Sequence, residues 1–334
     1  MKISSLADAR GRVVRYLRLS ITDRCNLRCL YCRSDARLHD IPHGHILRYE
    51  ELLRLVRLAV ARGVEKVRLT GGEPFARKGC MEFLGMLRAE FPQVDLRVTT
   101  NGTLLGGQAA ALARMGVNAV NLSLDTFDAA LFARITGRDM LPQVLTVLDD
   151  LVTAGIRVKI NAVAMRGMNE GDLPEFLRLA RDMPVDVRFI EFMPMGSETC
   201  WSPAYFWPAS DILKKAGALA ELTPDAHAQA DSGPARMFTV AGGRGRFGVI
   251  SPLSNHFCAA CNRLRVTPDG HLRTCLYADK EYRLRGLLRH PLLGDAAVAR
   301  VMELACHEKP LGVELLRARG AGAVASKGMS RIGG

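Results

Sequence analysis

Short apolar runs rich in β-branched residues alternate with longer amphipathic stretches from residue 13 to about residue 192. Apolar residues that recur every three or four positions predict helices, whereas short continuous apolar runs bounded by turn residues predict buried strands. The pattern predicts six β/α units in succession, which implies a parallel sheet with right-handed crossovers. The predicted strands are 13–21, 66–69, 95–99, 119–124, 157–163 and 187–192.

The amphipathic stretches have the apolar spacing of helices that pack on a sheet. They lie at 49–62, 81–90, 107–115, 141–154 and 172–181. Gly63, Gly116 and Gly155 follow three of them, where C-terminal caps close helices. Six units are fewer than the eight of a closed barrel. We therefore expect an α/β fold, an incomplete (βα)6 TIM-like barrel whose chemistry collects at the carboxyl ends of the strands.

The regular alternation ends after Met195. Residues 196–235 are irregular and contain several prolines, with one short helical stretch at 212–216. Two hairpins are predicted beyond them, 238–240 with 247–250 and 265–267 with 272–274, the second around Asp269-Gly270. Helical segments follow at 283–289 and 296–307. We expect two domains, a partial barrel at 1–235 and a C-terminal region at 236–334.

Composition narrows the class of protein. The 334 residues are 48% hydrophobic and 24% charged, which is typical of a globular protein. We find neither a membrane span nor a secretory signal, so we expect a cytoplasmic protein whose thiols stay reduced. Nine cysteines, an odd number, argue against a disulfide framework. The net charge of +12 comes from residues dispersed along the chain and identifies no partner by itself.

A cysteine triplet, Cys25, Cys29 and Cys32, directly follows the first predicted strand. Three thiolates on one loop can hold three irons of a [4Fe–4S] cluster and leave the fourth iron open to a small molecule. The alternative is a zinc site with a distant fourth ligand, because Cys-x2-Cys is common in zinc sites. The full spacing, with the aromatic Tyr31 before the last cysteine, resembles the radical S-adenosylmethionine (SAM) superfamily.

A second triplet, Cys258, Cys261 and Cys275, lies in the C-terminal region. A zinc knuckle completed by His256 or His271 is the alternative here. Arg263 and Arg265 place two guanidinium groups beside these thiols. We therefore favour a second cluster with an open iron, at which an anionic substrate docks.

Further motifs extend the resemblance over nearly the whole chain. With both triplets, the chain resembles the GTP 3′,8-cyclase family of molybdenum-cofactor biosynthesis, within the radical SAM superfamily. The remaining motifs that carry the resemblance are Leu69-Thr-Gly-Gly-Glu-Pro74, Ile135-Thr-Gly-Arg138, Arg188-Phe-Ile-Glu-Phe-Met193, Asn262-Arg-Leu-Arg265 and the terminal Gly333-Gly334. Any one of them could arise by chance, whereas all of them in this order are specific.

The resemblance implies two [4Fe–4S] clusters and SAM as cofactors. In the family, the first cluster binds SAM through its open iron and donates the electron that cleaves it to a 5′-deoxyadenosyl radical. That radical takes the 3′ hydrogen of GTP. The ribose C3′ radical then attacks C8 of guanine, giving (8S)-3′,8-cyclo-7,8-dihydroguanosine 5′-triphosphate after reduction. The C-terminal extension of a radical SAM partial barrel would carry the second cluster.

The resemblance also implies roles for individual residues. The implied cluster ligands are Cys25, Cys29, Cys32, Cys258, Cys261 and Cys275. The implied SAM contacts are Tyr31, Gly72, Ser123 and Met193. The implied GTP contacts are Arg18, Arg68, Thr99, Lys159, Arg263, Leu264 and Arg265. The implied catalytic residues are Arg263, Arg265, Gly333 and Gly334, because the family's terminal glycines reach into the active site.

Three of these GTP contacts have support from the residues alone. Arg18, Arg68 and Lys159 each lie within a predicted strand. A charge that points into a barrel lumen is costly unless it meets an opposite charge. The alternative is a charge on the outward face of a strand. Lys66, two residues from Arg68, shares its face and is a weaker candidate.

The resemblance implies further partners: a synthase of cyclic pyranopterin monophosphate that receives the product, and an electron donor such as flavodoxin or ferredoxin. We expect no nucleic acid, no membrane, and a monomer or homodimer. Two alternatives stay open. One is a twin-cluster radical SAM enzyme that modifies a peptide, and the other is a zinc-containing nucleic-acid-binding protein. Little supports the second, because only 6% of the residues are aromatic.

Overall fold

All six predicted strands are present in a computed structural model, which describes residues 5–32, 40–196, 199–225, 233–319 and 325–333. They are β1 (Tyr16–Ser20), β2 (Lys66–Thr70), β3 (Asp95–Thr100), β4 (Ala119–Ser123), β5 (Arg157–Ala164) and β6 (Asp186–Glu191). Each pairs with the next in parallel. The predicted succession of β/α units is therefore confirmed.

Six helices cover the outer face of these strands. They are α1 (Tyr49–Val60), α2 (Cys80–Glu90), α3 (Ala109–Arg114), α4 (Ala129–Thr136), α5 (Leu141–Thr153) and α6 (Leu173–Asp182). The sequence pattern did not predict α4, which the side chain of Asp128 caps at its N-terminus by accepting a hydrogen bond from Leu131 N at 2.6 Å. Gly63, Gly116 and Gly155 have φ angles of 91°, 67° and 73°, which confirms their left-handed cap positions.

The chain after β6 contributes the remaining elements. In chain order they are α7 (Ala209–Leu219), β7 (Leu222–Pro224), β8 (Ala235–Val240), β9 (Arg246–Ile250), β10 (Arg263–Val266), β11 (His271–Arg273), β12 (Tyr282–Arg283), α8 (Arg285–Arg289), α9 (Asp295–His307), α10 (Gly312–Arg319) and α11 (Met329–Ile332). Both predicted hairpins are present, β8 with β9 and β10 with β11. No helix of the described residues is both long and apolar enough to cross a membrane.

The two hairpins extend the barrel sheet at both of its edges. Strand β9 pairs in parallel with β6, and β10 pairs in parallel with β1. The twelve strands form one sheet in the order β12-β11-β10-β1-β2-β3-β4-β5-β6-β9-β8-β7. The domain boundary predicted after residue 235 falls at the first residue of β8. The C-terminal region therefore extends the wall of the barrel on both sides.

Side chains of the barrel strands alternate between two faces, as the strand repeat of two requires. The outward face is apolar and packs against the helices; on β1 and β2 it consists of Leu17, Leu19, Val67 and Leu69, all fully buried. The inward face carries the polar and charged residues of the same strands. The apolar layer outside the sheet thus supports a polar lumen inside it.

An aromatic cluster joins the C-terminal region to the barrel. The ring of Phe189 on β6 lies 5.1 Å from that of Phe176 on α6, 5.7 Å from Phe247 on β9 and 5.9 Å from Trp207 (centroid distances). Phe189 is fully buried. Burial of such rings and their edge-to-face packing stabilise the junction of β6, β9 and α7.

We expect Phe189→Ala to destabilise the protein by about 3–5 kcal/mol, because it removes the ring at the centre of this cluster and leaves a cavity. Phe189→Leu keeps most of the volume and should cost less than about 1.5 kcal/mol. Leu292→Ala, at a side chain that is 87% exposed, is the surface control. Urea unfolding followed by circular dichroism measures the three changes, and an equal effect of Phe189→Ala and Leu292→Ala would contradict the assignment.

Candidate active site

The first cysteine triplet lies at the carboxyl ends of the barrel strands. Cys25, Cys29 and Cys32 line a cavity of about 230 Å³ together with residues that follow or end β2, β3, β4 and β6. Thr99 lines the same cavity. So do the four SAM contacts implied by the resemblance, which are Tyr31, Gly72, Ser123 and Met193. The structure therefore brings these predicted residues together.

Two backbone hydrogen bonds hold the cysteine loop against the end of α4. Arg28 N donates to Thr136 O at 2.8 Å, and Leu30 N donates to Ile135 O at 2.9 Å. Gly137 ends the helix with a φ of 76°. The segment from Ile135 to Arg138 thus fixes the path of the loop between the cysteines.

Close packing of the cysteine loop on the end of β2 explains Gly71 and Gly72. A Cβ atom on Gly71 would lie 2.7 Å from Thr22 O, and one on Gly72 would lie 2.3 Å from Arg24 O. Gly72 N also donates a hydrogen bond to Thr22 O at 2.7 Å. Any side chain at these positions would push the loop away from the sheet, so both glycines are needed to place the thiols.

Two buried carboxyl groups beside this cavity, in stretches that the sequence places at strand ends, were assigned no role from the sequence. Asp125 accepts hydrogen bonds from Tyr31 Oη at 2.7 Å and Val163 N at 2.8 Å, and burial raises its pKa to about 6. Glu73 accepts from Thr100 Oγ1 at 2.8 Å and Asn101 N at 2.7 Å, and burial raises its pKa to about 7. Both residues follow a strand at its carboxyl end, and that position was the available signal.

A second cavity, of about 190 Å³, lies deeper in the barrel and is strongly basic. Eight cationic side chains line it: Arg18, Lys66, Arg68, Arg97, Lys159, Arg188, Arg263 and Arg265. No Asp or Glu occurs among its lining residues in the described part of the chain. It shares Asn161, Ile190, Met193 and Met329 with the first cavity, so the two are adjacent.

Four of these arginines form a lateral row across the sheet. Arg265, Arg18, Arg68 and Arg97 occupy matching register positions on β10, β1, β2 and β3. Like charges on neighbouring strands destabilise a sheet. Asp95 pairs with Arg97 at one end of this row, and a polyanion in the lumen would relieve the remaining cost.

Burial of the cations lowers their pKa values. Desolvation, with nearby guanidinium groups, lowers the pKa of Arg188 to about 9 and that of Arg265 to about 10. The same causes lower the pKa of Lys159 to about 7, although Asp186 lies 3.6 Å from its Nζ. An anion in this cavity would favour the charged forms and raise these pKa values again, so the site favours phosphate groups.

The second cysteine triplet adjoins the basic cavity. Cys258, Cys261 and Cys275 line a small cavity with Arg263 and Arg265, which also line the basic one. Burial acts to raise the pKa of Cys261, but Lys309 and Arg263 outweigh it and lower the value to about 7. A Cβ atom on Gly312 would lie 3.0 Å from Cys275 Sγ, so the chain passes as close to this thiol as glycine allows.

The donor set of each triplet, three cysteine thiols, fits an iron–sulfur cluster. In a [4Fe–4S] cluster each thiolate binds a different iron, so the sulfurs stand apart. Burial, Asp125 and the two neighbouring thiols raise the pKa of Cys29 well above its usual value, and a positively charged iron core would offset that cost.

Leu264 and Gly333, two site residues implied by the resemblance, are not among the lining residues of the first cavity or the basic cavity. The side chain of Leu264 is fully buried in the apolar layer outside the sheet, so only its backbone is available to a ligand. Gly333 lies between Ser20 and Thr70, and its carbonyl oxygen accepts a hydrogen bond from Arg265 Nη1 at 2.7 Å. Gly334 lies outside the described residues.

Several polar residues of the basic cavity were missed by sequence reasoning: Tyr16, Arg97, Asn121, Asn161 and Arg188. Each lies on a barrel strand at an inward position, and the strand repeat of two could have identified them. Arg188 Nη2 donates to Asn161 Oδ1 at 2.6 Å. Arg188 Nε and Asn121 Oδ1 are buried without a hydrogen-bond partner among the described residues, as expected of a site that receives a polar ligand.

Two family models match successive parts of the chain. The radical SAM superfamily model matches residues 19–180, which include the first triplet and most of the barrel. The molybdenum cofactor synthesis C model matches residues 185–315, which include the second triplet.

Curated relatives match both parts together. "GTP 3',8-cyclase" of Geobacter sulfurreducens is 44% identical over 300 residues, which cover 89% of this chain and 91% of the relative. The protein of the same name from Syntrophomonas wolfei is 41% identical over 287 residues, covering 85% and 87%. That of Alkaliphilus oremlandii is 36% identical over 331 residues, covering 98% and 100%.

A solved structure matches the fold at low sequence identity. It is Streptococcus suis SuiB bound to S-adenosylmethionine, with a TM-score of 0.63 and 15% identity over 95% of this chain and 77% of that one. It supports the fold alone, whereas the curated relatives share identity over nearly the full length. The chain belongs to the GTP 3′,8-cyclase family of the radical SAM superfamily.

Proposed function

We propose that this protein is a GTP 3′,8-cyclase that converts GTP into (8S)-3′,8-cyclo-7,8-dihydroguanosine 5′-triphosphate, the first step of molybdenum-cofactor biosynthesis. One observation carries the substrate: eight cations and no carboxylate line the described part of a cavity between two cysteine triplets. A nucleoside triphosphate brings about four negative charges, and arginine forks match phosphate geometry.

The first triplet would hold a [4Fe–4S] cluster whose open iron binds SAM. When reduced, this cluster would supply the electron that cleaves SAM, and SAM would supply the 5′-deoxyadenosyl group that takes hydrogen from the substrate. Gly71 and Gly72 keep the cysteine loop on the end of β2, and Asp125 fixes Tyr31. Because Asn161 and Met193 line both cavities, SAM and GTP would lie next to each other.

The second triplet would hold a second [4Fe–4S] cluster at the other end of the nucleotide. Arg263 and Arg265 lie between this triplet and the basic cavity, where they would present fixed positive charge to the substrate. Gly333 holds the guanidinium of Arg265 through its carbonyl oxygen. We propose that the tail formed by Gly333 and Gly334 positions Arg265 and helps to close the cavity.

Cellular context follows from the proposed chemistry. Six thiols that bind iron must stay reduced, which favours the cytoplasm. The product would pass to cyclic pyranopterin monophosphate synthase. The division into residues 1–235 and 236–334 remains a proposal; the two matched family models meet between residues 180 and 185. The oligomeric state, monomer or homodimer, remains a prediction.

Exposed arginines beside the first triplet form a surface that suits the binding of an acidic electron donor, such as flavodoxin or ferredoxin. Arg28 lies next to Cys29, and its Cβ lies 3.4 Å from the position of a Cβ on Gly137. Arg134 and Arg138 flank that glycine at the end of α4, and all three arginines are exposed. We propose that this surface, Arg28 with Arg134 and Arg138, receives the donor.

The activity itself is tested with iron-reconstituted protein, SAM, dithionite and GTP under anaerobic conditions, followed by mass spectrometry. We expect 5′-deoxyadenosine together with a GTP isomer reduced at C8, and about eight irons per chain. Cys25→Ser should abolish both products, whereas Cys258→Ser should leave some SAM cleavage without cyclisation. If 5′-deoxyadenosine forms but GTP is untouched, a peptide substrate becomes the better proposal.

Deleting Gly333 and Gly334 should abolish cyclisation while both clusters stay bound, because Arg265 loses the carbonyl that holds it. Gly333→Ala should also impair turnover, since φ is 82° and its Cβ would lie 2.7 Å from Thr70 Oγ1. Gly294→Ala, where nothing lies within 4 Å of a Cβ, is the matched control. Iron analysis and the GTP assay measure the outcome. Full activity of the truncated protein would contradict the proposal that the tail positions Arg265.

The double variant Arg134→Glu/Arg138→Glu should slow turnover with flavodoxin by about tenfold at low salt, because it reverses the charge that steers an acidic protein. Turnover with dithionite should not change, since a small reductant needs no docking surface. Arg236→Glu, at an exposed arginine of β8, is the control. Equal rates with flavodoxin for the double variant and the control would exclude this surface.

A further inference from the structure

Tyr16 introduces an acidic group into a cavity that is otherwise lined by cations. It is the first residue of β1 and points into the lumen, where it lies beside Lys66 and Arg263 in the register of the sheet. In the described lining, Tyr16 and Tyr277 are the two side chains that can lose a proton to become anions. Neither takes part in the roles proposed above.

The phenol oxygen of Tyr16 occupies a position that a phosphate oxygen could take. Arg68 Nε donates a hydrogen bond to it, and Arg68 Nη1 donates to Thr99 Oγ1 at 3.3 Å. The Nζ of Lys66 lies 5.6 Å from the centre of the Tyr16 ring, and the guanidinium carbon of Arg68 lies 5.8 Å from it. Tyr16 is thus a partner of Arg68, which is 3% exposed.

Charged groups face Tyr16 from four strands. They are Arg18 on its own strand, Lys66 and Arg68 on β2, Arg188 on β6, and Arg263 and Arg265 on β10. Burial acts to raise the pKa of Tyr16, but Arg68, Arg18 and Arg263 outweigh it and lower the value to about 7. Tyr277 differs, because burial and the nearby thiols of Cys258 and Cys275 raise its pKa.

We infer that Tyr16 is an internal counter-ion: its phenolate balances Arg68 and the neighbouring cations while no anionic substrate is present, and it takes up one proton when the substrate's phosphates supply that charge. The proton comes from solvent and forms the phenol O–H, so charge and atoms balance. Tyr16 is a positioning residue, since it acts through Arg68. The inference rests on the proposed polyphosphate substrate.

The sign of the pH dependence follows from this exchange. Phosphate groups near Tyr16 favour the neutral phenol, so binding takes up a proton and weakens as pH rises through 7. Lys159, whose pKa is also about 7, adds a second proton by gaining a charge when phosphate binds. The two contributions are separable by substitution, because Tyr16→Phe removes one and Lys159→Arg removes the other.

Calorimetry of the reconstituted holoenzyme tests the inference without turnover. Inorganic tripolyphosphate is titrated at pH 8 in buffers of different ionisation enthalpy, which gives the number of protons taken up. Wild type should take up about one proton more per tripolyphosphate bound than Tyr16→Phe. Accordingly, the slope of log affinity against pH should be less negative in Tyr16→Phe, by about one log unit per pH unit. Tyr205→Phe, at a tyrosine that is 36% exposed and is not among the lining residues of this cavity, should behave as wild type.

Equal proton uptake by wild type and Tyr16→Phe would overturn the inference, and so would weaker binding with an unchanged pH slope, which marks a purely structural role. If Tyr16→Phe does not fold, the near-ultraviolet phenolate band of wild type decides instead: it should shrink when tripolyphosphate binds, and a constant band would contradict the inference. Proton uptake without conversion of GTP would support Tyr16 as counter-ion and count against the proposed cyclase.

Discussion

Repulsion among buried cations in the lumen is the constraint on which the site depends. Four arginines share one register across β10, β1, β2 and β3, and strand pairing fixes the spacing of their backbone positions. Fixed like charges in a desolvated cavity are costly, and burial with mutual repulsion lowers the pKa of Arg188 and Arg265 accordingly. The free-energy cost of these fixed charges is the physical basis for recognition of a polyanion, because the groups that bind it are already in place.

Packing in the rest of the fold offsets the free-energy cost of burying these cations. The outward face of each barrel strand is apolar, and its side chains are buried beneath six helices. Asp95 and Asp186 lie near the amino ends of β3 and β6, where they pair with Arg97 at 2.5 Å and with Arg246 at 2.8 Å. These carboxylates also balance cations that line the cavity, because Asp95 lies 3.7 Å from Lys66 Nζ and Asp186 lies 3.6 Å from Lys159 Nζ. The cavity stays positive because its described lining contains eight cations and no carboxylate.

The sequence pattern predicts the six barrel strands, five of the six barrel helices and both C-terminal hairpins, because local apolar spacing and turn residues specify them. It does not predict that β9 and β10 join the barrel edges, since pairing between strands far apart in sequence leaves no local signal. The same limit explains the missed Arg97 and Arg188: their inward direction follows from strand alternation, but their proximity follows from register. Glu73 and Asp125 were missed because a buried carboxyl group is recognised by its hydrogen-bond partners, which only the structure provides.

The pairing of β10 with β1 connects the two cysteine triplets through one sheet. Cys25 follows the carboxyl end of β1, and Cys261 precedes the amino end of β10 by two residues. Because the strands are parallel and in register, the triplets must lie at opposite ends of the barrel, with Arg18 and Arg265 side by side between them. A substrate that spans this distance contacts both ends at once. The distance between the proposed radical source and the proposed substrate anchor therefore depends on strand length, a rigid feature, together with the loops that carry the cysteines.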